Sequence, residues 1–365
     1  MKPLLVDLEM EWRGGQNQFL LLLKGLRERG HTPELLAVRG SALAQRALEA
    51  GVPVHLASRW AARFGTVQKI RNLLAGGGFD LVHVNESHAL TAAWLARAHR
   101  SLPLIISRRV GYPLSRSWLA QERFRAAATI IANSHWVAEQ AAASGAPKEK
   151  LKVIYEGVSI PSLPGLEIRG EARRRWNILS DEPLLGCAGV LSPDKGHEHV
   201  IRALSDLRHE FPRARLLLAG DGPARARLES LAKNEGVGDS VIFAGFVKEI
   251  ELFYQALNIF VFPSLFEGLG TSLLAAMSYA VPSVTFFGCA LGEIVENGVS
   301  GIQVEPQNPA QIAEAVARLL RDSPFMARMG AAGRARIERF FSAAQMVEGT
   351  TRVYRDALEA KGTPR

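Results

Sequence analysis

Glu267-Gly-Leu-Gly-Thr271 is the stretch of this 365-residue chain best able to do chemistry. It follows Phe260-Val-Phe-Pro263, an apolar run of the kind that forms a buried parallel strand, and it opens an apolar helical stretch that ends before Pro282. A strand, a glycine-rich turn and a helix N-terminus together make an anion site. Free N–H groups of the first turn point outward, and the helix dipole favours negative charge there. Gly268, Leu269, Gly270 and Thr271 would supply that turn, and the Glu267 carboxylate could hold a neutral hydroxylated group beside a bound phosphate. A sugar joined to a nucleotide diphosphate fits both halves. An acid capping the helix start is the competing structural role for Glu267.

Other segments offer chemistry at predicted strand ends, where α/β ligands bind. Trp12-Arg-Gly-Gly-Gln-Asn-Gln18 follows the first strand. Its adjacent Gly14 and Gly15 let backbone N–H groups approach a phosphate, with Arg13 and Gln16 as side-chain neighbours. His83-Val-Asn-Glu-Ser-His88 could turn either histidine, His88 above all, towards a sugar or acceptor. Arg108 and Arg109 suit a phosphate- or carboxylate-bearing acceptor, or else form a surface ion pair. Arg59-Trp-Ala-Ala-Arg-Phe64 mixes cations with aromatics, as a membrane interface or an ordinary helix surface does.

The 264–283 segment resembles the Glu-x7-Glu signature of family 4 glycosyltransferases. That resemblance implies a retaining, metal-independent enzyme of the GT-B fold: α/β, with two Rossmann-like doubly wound domains facing across a cleft. It implies that Glu267 approaches the transferred sugar. It places Gly14 and Gly15 over the donor diphosphate and the acceptor, and Lys195, within Gly189-Val-Leu-Ser-Pro-Asp-Lys-Gly-His197, on that diphosphate. Gly245-Phe-Val247 takes the place of the base-binding loop, where Phe246 either stacks near the base or fills the core. Gly288–Gly298 resembles a Gly-Gly-x-Pro-Glu segment but departs at Cys289 and Gly292, and Glu293 there reads as a helix-capping acid.

Two further positions depart from the family. Val190 stands where Arg is usual, and Ala275 where the second Glu holds the ribose hydroxyls. A charged hydrogen bond is worth roughly 1.5–3 kcal/mol, about 10- to 100-fold in affinity. Either the donor lacks a 2′-hydroxyl, or Ser272 or Tyr279 on the same helix face replaces the carboxylate, or donors bind weakly or not at all.

The elements that must position these residues fall into two series. Lys2–Leu8, Thr32–Arg39, Val52–Ala57, Phe79–Asn85, Leu104–Ser107, Thr129–Ala132 and Lys152–Tyr155 are the expected strands of a first domain over 1–160. Helices are expected over Gln16–Arg29, Leu43–Ala50, Thr66–Leu74 and Ala89–His99. Gly157–Gly170 reads as a linker. A second domain over 161–342 repeats the alternation. A last helix, about 343–360, is expected by family analogy to pack back on the first domain.

Apolar content of 47% supports two well-formed cores. Cys187 and Cys289 lie far apart, as in a reduced cytosolic protein. No segment reads as a membrane span, and Met1–Asp7 turns acidic too early for a signal peptide. The net charge of +8 is uneven: residues 1–160 carry 21 Lys and Arg against 12 Asp and Glu. Such asymmetry draws an anionic acceptor or an anionic membrane surface to the first half, unless it only reflects an arginine-rich proteome. No Asp-x-Asp, Walker or zinc spacing occurs, so no metal or cofactor is expected.

The expected function is transfer of a sugar from a nucleotide-diphosphate donor to a glycan or lipid-linked acceptor. The expected setting is cell-envelope polysaccharide or lipopolysaccharide assembly, in the cytoplasm or on the inner face of the membrane, without nucleic acid as a partner. Two rivals are a GT-B sugar-nucleotide epimerase and a catalytically silent glycan-binding or scaffold protein.

Overall fold

The computed structural model describes residues 1–58, 64–163 and 165–362. The expectation for the Arg59–Phe64 surface lies almost wholly outside those residues. The chain divides into two compact units. Met1–Gly157 joins with the C-terminal helix Ala343–Gly362, and Val158–Ser342 forms the other.

The first unit is built on strands β1 (Pro3–Asp7), β2 (Glu34–Val38), β3 (Val54–Ala57), β4 (Leu81–Val84), β5 (Leu104–Arg108), β6 (Thr129–Ala132) and β7 (Leu151–Val153). All pair in parallel, in the order β3-β2-β1-β4-β5-β6-β7. Strand order reverses between β1 and β4, which places a ligand crevice at their carboxyl ends. β1 reads Pro-Leu-Leu-Val-Asp and is wholly buried, as a central parallel strand covered on both faces must be. Val347, Tyr354 and Ala357 of the C-terminal helix share a core with Phe19, Leu23 and Leu26 of helix Gly14–Glu28.

The second unit repeats the plan with β8 (Leu184–Ala188), β9 (Arg215–Ala219), β10 (Val241–Gly245), β11 (Ile259–Phe262), β12 (Ser283–Phe286) and β13 (Ile302–Val304), ordered β10-β9-β8-β11-β12-β13. Its reversal falls between β8 and β11. Each unit is thus a doubly wound, Rossmann-like sheet.

Several expectations need correction. The linker ends early: helix Leu166–Arg174 starts inside it. That helix is too polar to show a periodic apolar face, but it is pinned by the buried Arg173, whose guanidinium donates to the carbonyls of Ala256 (3.0 Å) and Leu179. The helix expected over Ala89–His99 runs from Ser87 to Leu95 and breaks at Arg97, a left-handed residue with φ 62°. The sequence does not mark helices Trp118–Arg125, His135–Ala143, Ile250–Ala256 and Ser323–Phe340: Ile250–Ala256 is only seven residues long, too short to show a helical period, and the apolar residues of the others form no regular stripe.

Candidate functional site

At the β8–β11 reversal of the second unit, two loops interlock. Leu265 N donates to Asp194 O at 2.9 Å. Gly196 turns the first loop with φ 67°, and a Cβ there would overlap the Pro263 carbonyl oxygen, so glycine is required. The interlock brings Lys195 to Glu267: Lys195 Nζ donates to Glu267 Oε1. Ser264 Oγ donates to the same oxygen at 3.0 Å. Both partners of the ion pair keep part of their surface open, at 23% and 14% side-chain exposure.

Helix Thr271–Ser278 starts directly beyond. Its N-cap is Gly270, with φ 95°, and no side chain caps it. Glu267 is therefore not the helix cap. It is spent on Lys195 and Ser264, and of the first-turn N–H groups that of Leu273 is taken by the Gly270 carbonyl at 3.0 Å, leaving those of Thr271 and Ser272 for an anion. Leu269 contributes only backbone, its side chain being buried in the core. Gly268 and Thr271 are half-buried. Phe246 is 77% exposed at the end of β10, which rules out the core role and leaves an open aromatic face. Val190 is exposed beyond β8. Ala275 is half-buried, and Tyr279, at the helix C-cap, stacks on Tyr254 with ring centroids 5.8 Å apart.

The β1–β4 reversal of the first unit carries a denser polar cluster. Asp7 ends β1 fully buried, and burial raises its pKa against the hydrogen bonds that lower it. It accepts from Gln16 Nε2 at 2.9 Å, Asn85 Nδ2 at 2.5 Å and Glu9 N at 3.1 Å. Gly14 and Gly15, expected in a loop, are instead the first residues of helix Gly14–Glu28, and Asn85 Nδ2, 3.3 Å from Gly15 O, holds that helix start to the sheet. Arg109 donates to Asn85 Oδ1 and pairs with Glu156 at 2.8 Å. Glu86 caps helix Ser87–Leu95, accepting from the N–H groups of Leu8 (3.2 Å), Ala89 (2.7 Å) and His88. Burial, with Asp7 nearby, pushes its pKa up to about 7.

This cluster changes the reading of several residues. Gln16, expected on the acceptor, is buried and committed to Asp7. Arg109 is neither a free acceptor contact nor a surface ion pair, but is held between Asn85 and Glu156. His83 is buried, bridging the hydroxyls of Tyr354 (2.6 Å) and Ser107 (2.8 Å), and burial holds its pKa well below the usual range. His88 is exposed on the first helical turn, with a ring nitrogen and carboxylate oxygens of Glu9 and Glu86 all within 4.8 Å of one another. Arg13 is exposed and pairs with Glu11, while Arg108 reaches the Tyr112 carbonyl. Asp7, Asn85, Glu86, Glu156 and Ser264 escaped the sequence reading. An acid ending a wholly apolar strand, as at Asp7, was the signal available for the first of them.

The chain is similar to known proteins over most of its length. The family described as Glycosyltransferase Family 4 matches residues 12–160, and Glycosyl transferases group 1 matches residues 168–336. A GDP-mannose-dependent alpha-(1-6)-phosphatidylinositol monomannoside mannosyltransferase of Mycobacterium tuberculosis is 31% identical over 283 residues, 73% of each chain. An uncharacterised glycosyltransferase of Methanocaldococcus jannaschii is 33% identical over 224 residues, 59% of this chain and 56% of that one. The Streptomyces kanamyceticus alpha-D-kanosaminyltransferase is 34% identical over 163 residues, 44% of this chain and 42% of that one. The match therefore spans about half the length of these last two. Among solved structures, HepE from Anabaena in complex with UDP and glucose superposes with a TM-score of 0.83 over 97% of this chain and 99% of that one, at 22% identity. That likeness carries the fold.

Proposed function

The chain belongs to the group 1, family 4 glycosyltransferases, and we propose from that premise that it moves a sugar from a nucleotide diphosphate to a glycan or lipid-linked acceptor, with retention and without a metal ion. The observation that carries this reading is the Lys195–Glu267–Ser264 cluster beside the uncapped N-terminus of helix Thr271–Ser278. A departing diphosphate needs fixed positive charge, which Lys195 and the open N–H groups supply. Glu267, held by Lys195 and Ser264, is placed to orient sugar hydroxyls. Phe246 offers its open ring to the base.

Solved HepE complexes contain UDP, and the mycobacterial relative is GDP-mannose-dependent. We extend to this chain only the class, a nucleoside diphosphate sugar. Gly14, Gly15 and His88 are assigned to the same reaction from the first unit, with Arg13 and Arg108 as cations for an anionic acceptor. By family analogy the leaving phosphate helps deprotonate the acceptor, so no protein nucleophile is required. Cell-envelope assembly at the cytoplasmic face of the membrane is the proposed setting.

Val190 and Ala275 favour one alternative, a glycan-binding protein without turnover. Calorimetric titration with UDP, GDP, ADP and dTDP separates the readings. Saturable binding of one diphosphate supports the transferase, and silence from all four in folded protein overturns it. A donor sugar epimerised without acceptor would point to the epimerase.

A further inference from the structure

Phe287, the first residue beyond β12, is 62% exposed at the carboxyl edge of the second unit's sheet. The fold itself has no use for an aromatic ring in solvent there. The strand fixes its direction. Val284 and Phe286 turn into the core that Val200 and Ile201 of helix His197–Leu207 share, and the Phe286 ring stands edge-on to His199 with centroids 5.7 Å apart. Phe287 N donates to the Val304 carbonyl at 2.8 Å, so the pairing with β13 runs on through this residue. Side chains alternate along a strand, and Phe287 therefore turns to the opposite face.

That face carries the anion site. On the neighbouring β11, Phe262 pairs in register with Thr285 and turns the same way. Its ring lies 3.0 Å from where a Cβ on Gly270, the N-cap of helix Thr271–Ser278, would stand. Phe287 leaves β12 two residues after Thr285, as Ser264 leaves β11 two residues after Phe262. The segment that follows wraps the same loop. Cys289 Sγ donates to the Leu265 carbonyl at 3.4 Å, and the Leu291 side chain comes within 3.5 Å of the Gly270 Cβ position.

Sheet order then sets a sequence of groups. In β10-β9-β8-β11-β12, Phe246 and Phe287 stand on opposite sides of the β8–β11 reversal that holds Lys195 and Glu267. Four strand spacings, about 19 Å, separate their strands. A nucleotide sugar with its base at Phe246 and its diphosphate at Lys195 and the helix N-terminus carries its sugar on towards Phe287. A pyranose shows hydroxyls on its rim and C–H groups on its faces. The faintly positive C–H hydrogens suit the negative face of an aromatic ring, while the rim hydroxyls stay available to Glu267.

We propose that Phe287 is a platform for the donor sugar, its ring stacking on a C–H face of the pyranose. The inference rests on the nucleotide-sugar reading above and adds to it a residue that senses the sugar and not the nucleotide.

The test is calorimetry of the full chain with matched pairs: UDP and UDP-glucose, GDP and GDP-mannose, ADP and ADP-glucose, dTDP and dTDP-glucose. With the pair that the parent protein binds, Phe287→Ala should keep parental affinity for the diphosphate and weaken the sugar-bearing member by about fivefold or more. Phe287→Tyr should keep both affinities, and Phe287→Leu, apolar but without a ring face, should behave as Phe287→Ala. Phe246→Ala should weaken both members alike. Parental binding of the nucleotide sugar by Phe287→Ala or Phe287→Leu, or an equal loss of both members, overturns the platform and leaves the donor-site reading intact. So does a Phe246→Ala loss confined to the nucleotide sugar, which would reverse the order of groups. Silence of the folded parent towards every pair overturns the donor-site reading, and the platform with it. Thermal melting checks each variant. Should Phe287→Ala melt early, Phe287→Leu decides the outcome.

Discussion

Lys195 and Glu267, 72 residues apart in sequence, meet as an ion pair at the strand-order reversal of the second unit, and Ser264 binds the same carboxylate oxygen. The pair is preorganised. A ligand finds the lysine already extended and the carboxylate already aimed, so little ordering remains to be done on binding.

Glu267→Ala should therefore cut turnover by about 100-fold or more, the scale of losing one fixed electrostatic contact. Melting temperature should stay near that of the parent protein. Lys195→Ala should instead appear first in diphosphate affinity, about 10-fold or more weaker by calorimetry. A Glu267→Ala enzyme with parental kcat would remove the carboxylate from the mechanism.

Asp7 holds two side-chain amides and a backbone N–H inside the first unit. Asp7→Ala strands Gln16 and Asn85 and should cost roughly 1–3 kcal/mol, read from urea denaturation. Arg109→Ala should cost more, about 3–5 kcal/mol, because Glu156 is then buried without its cation. A parental unfolding midpoint in both variants would show the cluster to be energetically idle.

Glu86 gives a pH signature. Its pKa is raised from 4.5 to about 7 in the folded protein, chiefly by burial. The folded state then holds a proton that the unfolded chain releases, so stability falls as pH rises from about 4.5 towards 7 and levels off above. The full effect is of order 3 kcal/mol. Comparing parent and Glu86→Gln by urea denaturation between about pH 5 and pH 8 tests it: the variant's stability should decline less over that span. Identical slopes would rule Glu86 out as the titrating group.

Two substitutions restore what the family carries. Ala275→Glu should raise affinity for UDP over dTDP by roughly 10-fold or more if the carboxylate reaches ribose hydroxyls. Val190→Arg should strengthen binding of every diphosphate by a comparable factor, since position 190 is open to solvent beyond β8. An unchanged UDP-to-dTDP ratio in Ala275→Glu would mean that the helix face around 275 does not meet the ribose.

Legibility followed the range of the forces involved. The apolar runs of β1, β4, β8 and β11 were readable because a doubly covered parallel strand must be apolar along its length. The Glu267–Thr271 turn was readable because its glycines and helix start are local events. Helix Leu166–Arg174 was not: what holds it is Arg173 reaching the Ala256 carbonyl, a partner 83 residues away.

The same division runs through the candidate site. Sequence alone determined the family resemblance, the two strand–helix series, and the glycine-marked helix starts near Gly14–Gly15 and Gly270–Thr271, since each depends on neighbours along the chain. Only the tertiary structure decided which side chains are buried against partners and which stay exposed. It turned Gln16, His83 and Arg109 inward and left Phe246 and Trp118 outside. It made Asp7 and Asn85 partners across the β1–β4 reversal and Lys195 a partner of Glu267 across the β8–β11 reversal. A side chain's partner is set by sheet order, and sheet order depends on how strands distant in sequence bury their shared faces.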